Sequence, residues 1–319
     1  MAIGLAESGF AVQKSHYSAL KNKGSLSSMQ IVYHIGANCT DEDRLLKSLL
    51  KNVDAFAAEG IKVPGPGKYR RIIRETILNL NGATPSPDTR DILLDAILDD
   101  EPVNRLIMSH SAFICIPKLI FENGVFYERA TAKVAGLASL FPDDEIELFL
   151  GIRNPATFVP AVFVDAKNTD FAQYLRGITL DQIRWSDVVT RIQEAAPKAS
   201  LTVWCNEDTP LIWSQLIREI SGVDPLAKIT GGFDLLASIM APEGMKRFFD
   251  YLKSHPPATE IHKRRIIAAF LERYVIEEEV IEEFDLPGWT TEVVDHLTEA
   301  YEEDVYLISR MPGVNFIAP

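Results

Sequence analysis

His34, Asn38, Cys39 and Thr40 fall within seven residues of each other at the end of an apolar run, and Asp41, Glu42 and Asp43 follow at once. A histidine offers a general base near neutral pH, and a thiol at a helix start offers a nucleophile. An asparagine and a threonine in such a turn offer hydrogen bonds to a phosphate. Three consecutive carboxylates offer a seat for a divalent cation. Each residue also has a purely structural reading. His34 suits a hydrogen-bonded core histidine, and the carboxylates after Cys39 oppose thiolate formation, so Cys39 also reads as a plain small residue.

Other polar groups end other apolar runs. Ser109, His110 and Ser111 form one cluster, in which His110 is a second candidate base. Arg153 and Asn154 form another, and Asn206, Glu207 and Asp208 a third. Arg153 is the strongest candidate for anion recognition, since an arginine just after a central strand requires a carboxylate or phosphate partner; Glu207 or Asp208 would serve within the chain. Asn154-Pro155 reads as the N-cap and first residue of a helix. The segment Val63–Arg71 places Lys68, Arg70 and Arg71 after a Pro-Gly-Pro-Gly turn, where they can receive an acidic group at the ligand edge or simply face solvent. HExxH, GxSxG, GxGxxG and a complete phosphate-binding loop are all missing, which removes the signatures of zinc protease, serine hydrolase, dinucleotide oxidoreductase and ordinary kinase.

These groups need a scaffold that brings strand ends together. Apolar runs at Gln30–Ile35, Arg105–Ser109, Ile146–Ile152 and Leu201–Cys205 predict buried parallel strands. After the first, Leu45, Leu46, Leu49, Leu50, Val53 and Phe56 recur at helical spacing until Gly60, predicting one helix with Thr40 as N-cap and Asp43 at its third position. Ser86-Pro87-Asp88 predicts another helix start, and helices are expected over 125–140, 186–196 and 208–221. Beyond residue 232 only helices are expected, over 232–239, 241–254, 259–277 and 290–309. Alternating strands and helices imply an α/β fold, a parallel sheet with helices on both faces, with a helical C-terminal region. The expected division is a flexible arm at 1–28, an α/β domain at 29–230 and a helical subdomain at 231–319, with Met29 a possible start. Trp185, Trp204, Trp213 and Trp289 are expected to pack.

Lys and Arg number 32 against 45 Asp and Glu, a net charge of −13, so neither nucleic acid nor an anionic lipid surface is an expected partner. Glu277, Glu278, Glu279, Glu282, Glu283 and Asp285 contribute much of that charge as a solvated run. No stretch approaches the roughly 20 apolar residues of a membrane span, and no signal-peptide pattern opens the chain. Three separated cysteines, Cys39, Cys115 and Cys205, argue against a disulfide framework or a zinc site. A cytoplasmic protein without a resident metal is expected.

His34–Leu45, HIGANCTDEDRL, resembles the first loop of the sulfotransferase family, where a strand leads into His-x-x-x-x-Lys-Ser/Thr-Gly-Thr-Thr and a helix. Leu148–Phe163 is similar to that family's strand, Arg-x-Pro and helix, and Trp204–Asp208 to its Tyr-Glu-Asp turn. The resemblance covers roughly residues 29–210 as an order of elements. It implies a P-loop-like fold, 3′-phosphoadenosine-5′-phosphosulfate as donor, and sulfuryl transfer to a small-molecule or glycan hydroxyl acceptor. On this chain Asn38, Cys39, Thr40 and Arg153 take the donor-binding positions and His34 or His110 that of the base. The family's lysine position is Cys39, its glycine position is Asp41, and the serine expected eight residues after Arg153 is Ala161. At an effective dielectric near 20, a phosphate beside each of these carboxylates meets a repulsion on the order of a few kcal/mol. The loop is therefore expected not to hold the usual donor in the usual way. Three readings follow: sulfuryl transfer, a non-catalytic binding or regulatory protein on the same scaffold, and a group-transfer enzyme using Cys39 or a cation on Asp41, Glu42 and Asp43.

Overall fold

The computed structural model describes residues 28–98, 102–168, 170–280 and 286–319. Of the expected arm only Ser28 is among them, and Glu282, Glu283 and Asp285 of the acidic run also lie outside the described residues. The four apolar runs form β1 (Gln30–His34), β3 (Arg105–Ser109), β4 (Glu145–Ile152) and β5 (Ser200–Cys205). With β2 (Ile61–Lys62) and β6 (Val314–Ile317) they build one sheet in the order β2-β3-β1-β4-β5-β6, and every pairing is parallel. The strand β6 corrects the expectation of helices alone beyond residue 232. It pairs from Leu201↔Val314 to Trp204↔Ile317, and four residues are too few for an alternation to register as a strand.

Each connection carries helix, as parallel strands require. The helices are α1 (Arg44–Leu50), α2 (Val53–Ala58), α3 (Pro66–Leu80), α4 (Thr89–Ile97), α5 (Ala130–Ser139), α6 (Pro155–Asp165), α7 (Phe171–Leu175), α8 (Trp185–Ala195) and α9 (Thr209–Ser221). In the C-terminal region follow α10 (Asp234–Ile239), α11 (Pro242–Ser254), α12 (Glu260–Tyr274) and α13 (Thr291–Ile308). The single helix expected up to Gly60 is divided between α1 and α2. At the division Asn52 donates to the carbonyls of Ser48 and Thr230, 2.9 Å each, and accepts from the Thr230 amide at 2.7 Å. Those bonds fasten the start of the C-terminal region to the first crossover. The start expected at Ser86 is also shifted, with Asp88 in the cap position of α4.

Side chains on β1 alternate between two cores. Ile31 and Tyr33 join Phe158, Val188 and Leu137 on the α5, α6 and α8 face, whereas Val32 joins Leu46, Trp213 and Leu216 on the α1 and α9 face. Trp185, Trp204 and Trp213 are buried as expected. A third cluster, around Leu236, Met245, Phe248 and Ile267, gives α10 to α12 a small core of their own. In contrast, α13 packs on α6 and α8 in the main body. No helix among the described residues is long and apolar enough to cross a membrane.

The chain leaves β1 toward β2 and leaves β4 toward β5, so the connections part in opposite directions between two adjacent strands. Their carboxyl ends form the topological switch point, where ligands of open parallel sheets bind.

Candidate functional site

Beyond His34 the chain continues alongside β4. The Ile35 amide donates to Phe149 at 2.9 Å, Ala37 to Gly151 at 2.8 Å, and Gly151 returns a bond to Gly36 at 2.8 Å. Gly36 has φ +117°, and a Cβ there would stand 3.0 Å from the Ser111 carbonyl, so only glycine fits this close approach. Past it the loop turns through Cys39, Glu42 and Asp43 at φ 53°, 49° and 62°, a region costly for residues with a Cβ.

The structure gives every polar residue of this loop a partner inside the protein. Asn38 is buried; its amide donates to the Tyr127 hydroxyl at 3.1 Å, its Oδ1 accepts from that hydroxyl at 2.7 Å, and its Nδ2 donates to Cys115 at 3.2 Å. Thr40 donates to the Ala37 carbonyl at 2.8 Å and does not cap the helix. That capping falls to Asp41, whose Oδ2 accepts the Leu45 amide at 3.0 Å, while Asp43 precedes α1. The Cys39 thiol lies 3.8 Å from Asp165, and burial, reinforced by that carboxylate, pushes it up to about 12. It is a neutral thiol at physiological pH and a poor nucleophile.

Asp43 accepts a forked pair of bonds from Arg70, at 2.9 and 2.5 Å. The guanidinium's hydrogen bond holds this carboxyl below its ordinary range. Arg70 also donates to the Ser109 carbonyl from Nε and Nη2, at 3.1 and 2.9 Å. Of the basic turn at Val63–Arg71, Arg70 thus reaches the rim and takes Asp43 of the chain itself as its acidic partner, whereas Lys68 and Arg71 are exposed. Tyr69, which sequence reasoning passed over, donates to the Ser109 carbonyl at 2.7 Å and accepts the Ser109 amide at 3.0 Å. Apolar spacing in α3 gives no hint of that hydroxyl's role.

His34 lies under the loop, its Nδ1 2.8 Å from Ser109 Oγ and its ring 5.7 Å from that of Trp204. Burial lowers its pKa, against the pull of Asp41 and Asp43. His110 is pushed down to about 4 by burial and by the Arg70 charge. Both imidazoles are neutral at pH 7. His34 Nε2 and His110 Nδ1 are buried without a hydrogen-bond partner among the described residues.

Arg153 sits across the switch point, donating to the Cys39 carbonyl at 2.6 Å and to Thr157 Oγ1 at 3.0 Å. Asn154 caps α6 by accepting the Ala156 amide at 2.9 Å. Glu207 accepts the Asn154 amide at 2.8 Å and the Tyr301 hydroxyl at 3.1 Å, tying the ends of β4 and β5 to α13. Burial, followed by the Glu207 charge, raises Asp208 to about 6. The loop after β1 and Arg153 therefore share one rim and touch. His34 and His110 belong to a neighbouring pair of strand ends, β1 and β3, organised by Ser109, Tyr69 and Arg70.

Chemically, the rim offers neutral imidazoles and guanidinium donors, and its turn carries the neutral thiol of Cys39. With Asp41 given to the helix and Asp43 to Arg70, the acidic triplet is not a cation cage. Among the described residues no group of three or more His, Cys, Asp and Glu is placed to hold a metal ion. No family model matches the sequence, and no curated protein is similar to it.

Proposed function

We propose that this chain is a sulfotransferase-like α/β protein whose switch-point rim serves as a binding site without sulfuryl transfer. The observation that carries the reading is the self-bonded loop after β1. Cys39 replaces the transferring lysine as a neutral thiol, and Asn38, Thr40, Asp41 and Asp43 each spend their hydrogen bonds within the protein. A dianionic donor would have to displace those bonds while meeting Asp41 and Glu42. The P-loop-like sheet order and the Arg153 position support the scaffold, and three cysteines without a disulfide fit a reducing, cytoplasmic compartment.

A second reading, transfer from 3′-phosphoadenosine-5′-phosphosulfate to a hydroxyl acceptor, is favoured by the two neutral imidazoles with unpartnered nitrogens, His34 being nearest the loop. Calorimetry with adenosine 3′,5′-bisphosphate separates the two. The proposal expects no micromolar binding by the natural chain. It expects binding to emerge in Cys39→Lys combined with Asp41→Gly, which restores the lysine and removes one carboxylate. Micromolar affinity in the natural chain, abolished by Arg153→Ala, would overturn it in favour of transfer. Failure of the double variant to bind would count against the scaffold itself.

A further inference from the structure

A concavity lies far from the switch point, at the amino ends of the strands. It is a groove of about 780 Å³ between the last turns of α3, the 81–88 loop and α5, closing on Asp143 just before β4. Its size suits a small ligand. Ile77, Leu78, Leu80, Pro85, Pro87 and Leu140 give it apolar walls, and Leu78 remains 54% exposed there. Such a groove favours a molecule with a hydrocarbon portion.

Its charged groups narrow the chemistry. Arg90 is already held by Asp144, through bonds of 2.6 and 2.8 Å, and the Asp143 carboxylate acts on that same arginine. Lys133, on the α5 wall, is different. It is half-buried, yet among the described residues its ammonium has neither an ion pair nor a hydrogen-bond acceptor. Burial and the charge of Arg129 both disfavour its protonated form. An ammonium partly shielded by apolar walls and still reached by water pairs favourably with an anion that brings its own apolar surface. One cation matches one negative charge, and Asp143 stands against a dianion.

We propose that this groove binds a small amphipathic monoanion, a carboxylate on an unbranched apolar tail, with the carboxylate on Lys133 and the tail along Ile77, Leu78 and Leu80. This site is independent of the rim and of the reading given to it. The test titrates the full chain with octanoate and, separately, with octan-1-ol of the same tail length, by calorimetry. The expected result is one saturable octanoate site, weakened about tenfold or more in Lys133→Met, where octan-1-ol binding is unchanged. Leu78→Gln, at an exposed position, should weaken both ligands, and circular dichroism checks that both variants keep the fold. Absence of saturable binding would overturn the proposal, as would equal affinity for acid and alcohol or undiminished octanoate binding in Lys133→Met.

Discussion

His34 and His110 face the same choice, whether a polar ring at a strand end is solvated or enclosed. Both are enclosed, and enclosure lowers the pKa of both, to about 4 for His110. In an unfolded chain they would titrate near 6.5. The unfolded state therefore binds more protons between those values. Stability from these residues is complete above about pH 6.5 and is lost as pH falls toward the folded values. Asp208, raised to about 6, works in the opposite sense over part of that window, so the informative quantity is a difference. Urea-unfolding free energies of the natural chain should fall more steeply from about pH 6.5 to 4 than those of His110→Gln. Parallel curves would mean that His110 is protonated in the folded protein. The sequence marked both histidines and read His34 as suited to the core, but the groups that enclose them stayed hidden, because Tyr69 and Arg70 come from α3 and Trp204 from β5.

At the scale of elements, the legible parts were those whose cause is local. The strands at 30, 105, 146 and 201 and the α6 start at Asn154-Pro155 follow from uninterrupted apolar runs and from cap chemistry within one segment. The parts that stayed hidden depend on distant partners. β2 has two residues and β6 four, and each exists because a neighbouring strand offers it a ladder. The division between α1 and α2 depends on Asn52 pairing with Thr230. Asp304 extends the pattern, for this buried carboxylate on α13 accepts the Trp185 amide at 2.7 Å, the Ser186 amide at 3.1 Å and the Ser186 hydroxyl, capping α8 from outside its own segment. Removing it leaves two amides at a helix start unsatisfied in a buried place. Asp304→Ala is expected to destabilise the chain by about 2–4 kcal/mol in chemical denaturation, and Asp304→Asn by less, since its carbonyl can still accept one amide. A loss under about 0.5 kcal/mol for alanine would mean that α13 is not integral to the main body.

Across the whole molecule the excess of acid is the dominant long-range term. A net charge of −13 repels itself more in the compact state than in the expanded one. Two kinds of ion pair act against that repulsion. Exposed pairs such as Arg247–Glu243 contribute little. Enclosed pairs, such as Arg90 with the fully buried Asp144 side chain and Arg105 with Glu147, are shielded from added salt by the protein around them. Salt therefore weakens the repulsion more than it weakens the useful pairs. Raising sodium chloride from about 10 mM to 300 mM shortens the screening length from about 30 Å to under 8 Å. The midpoint of thermal unfolding should rise by about 1–3 °C over that range, followed by circular dichroism. Chloride is the suitable anion, because sulfate would stabilise by exclusion from apolar surface whatever the charge. A falling midpoint would show instead that attractive pairs outweigh the self-repulsion. The acidic surface would then be a stabilising network, and the low isoelectric point would no longer describe a molecule folded against its own field.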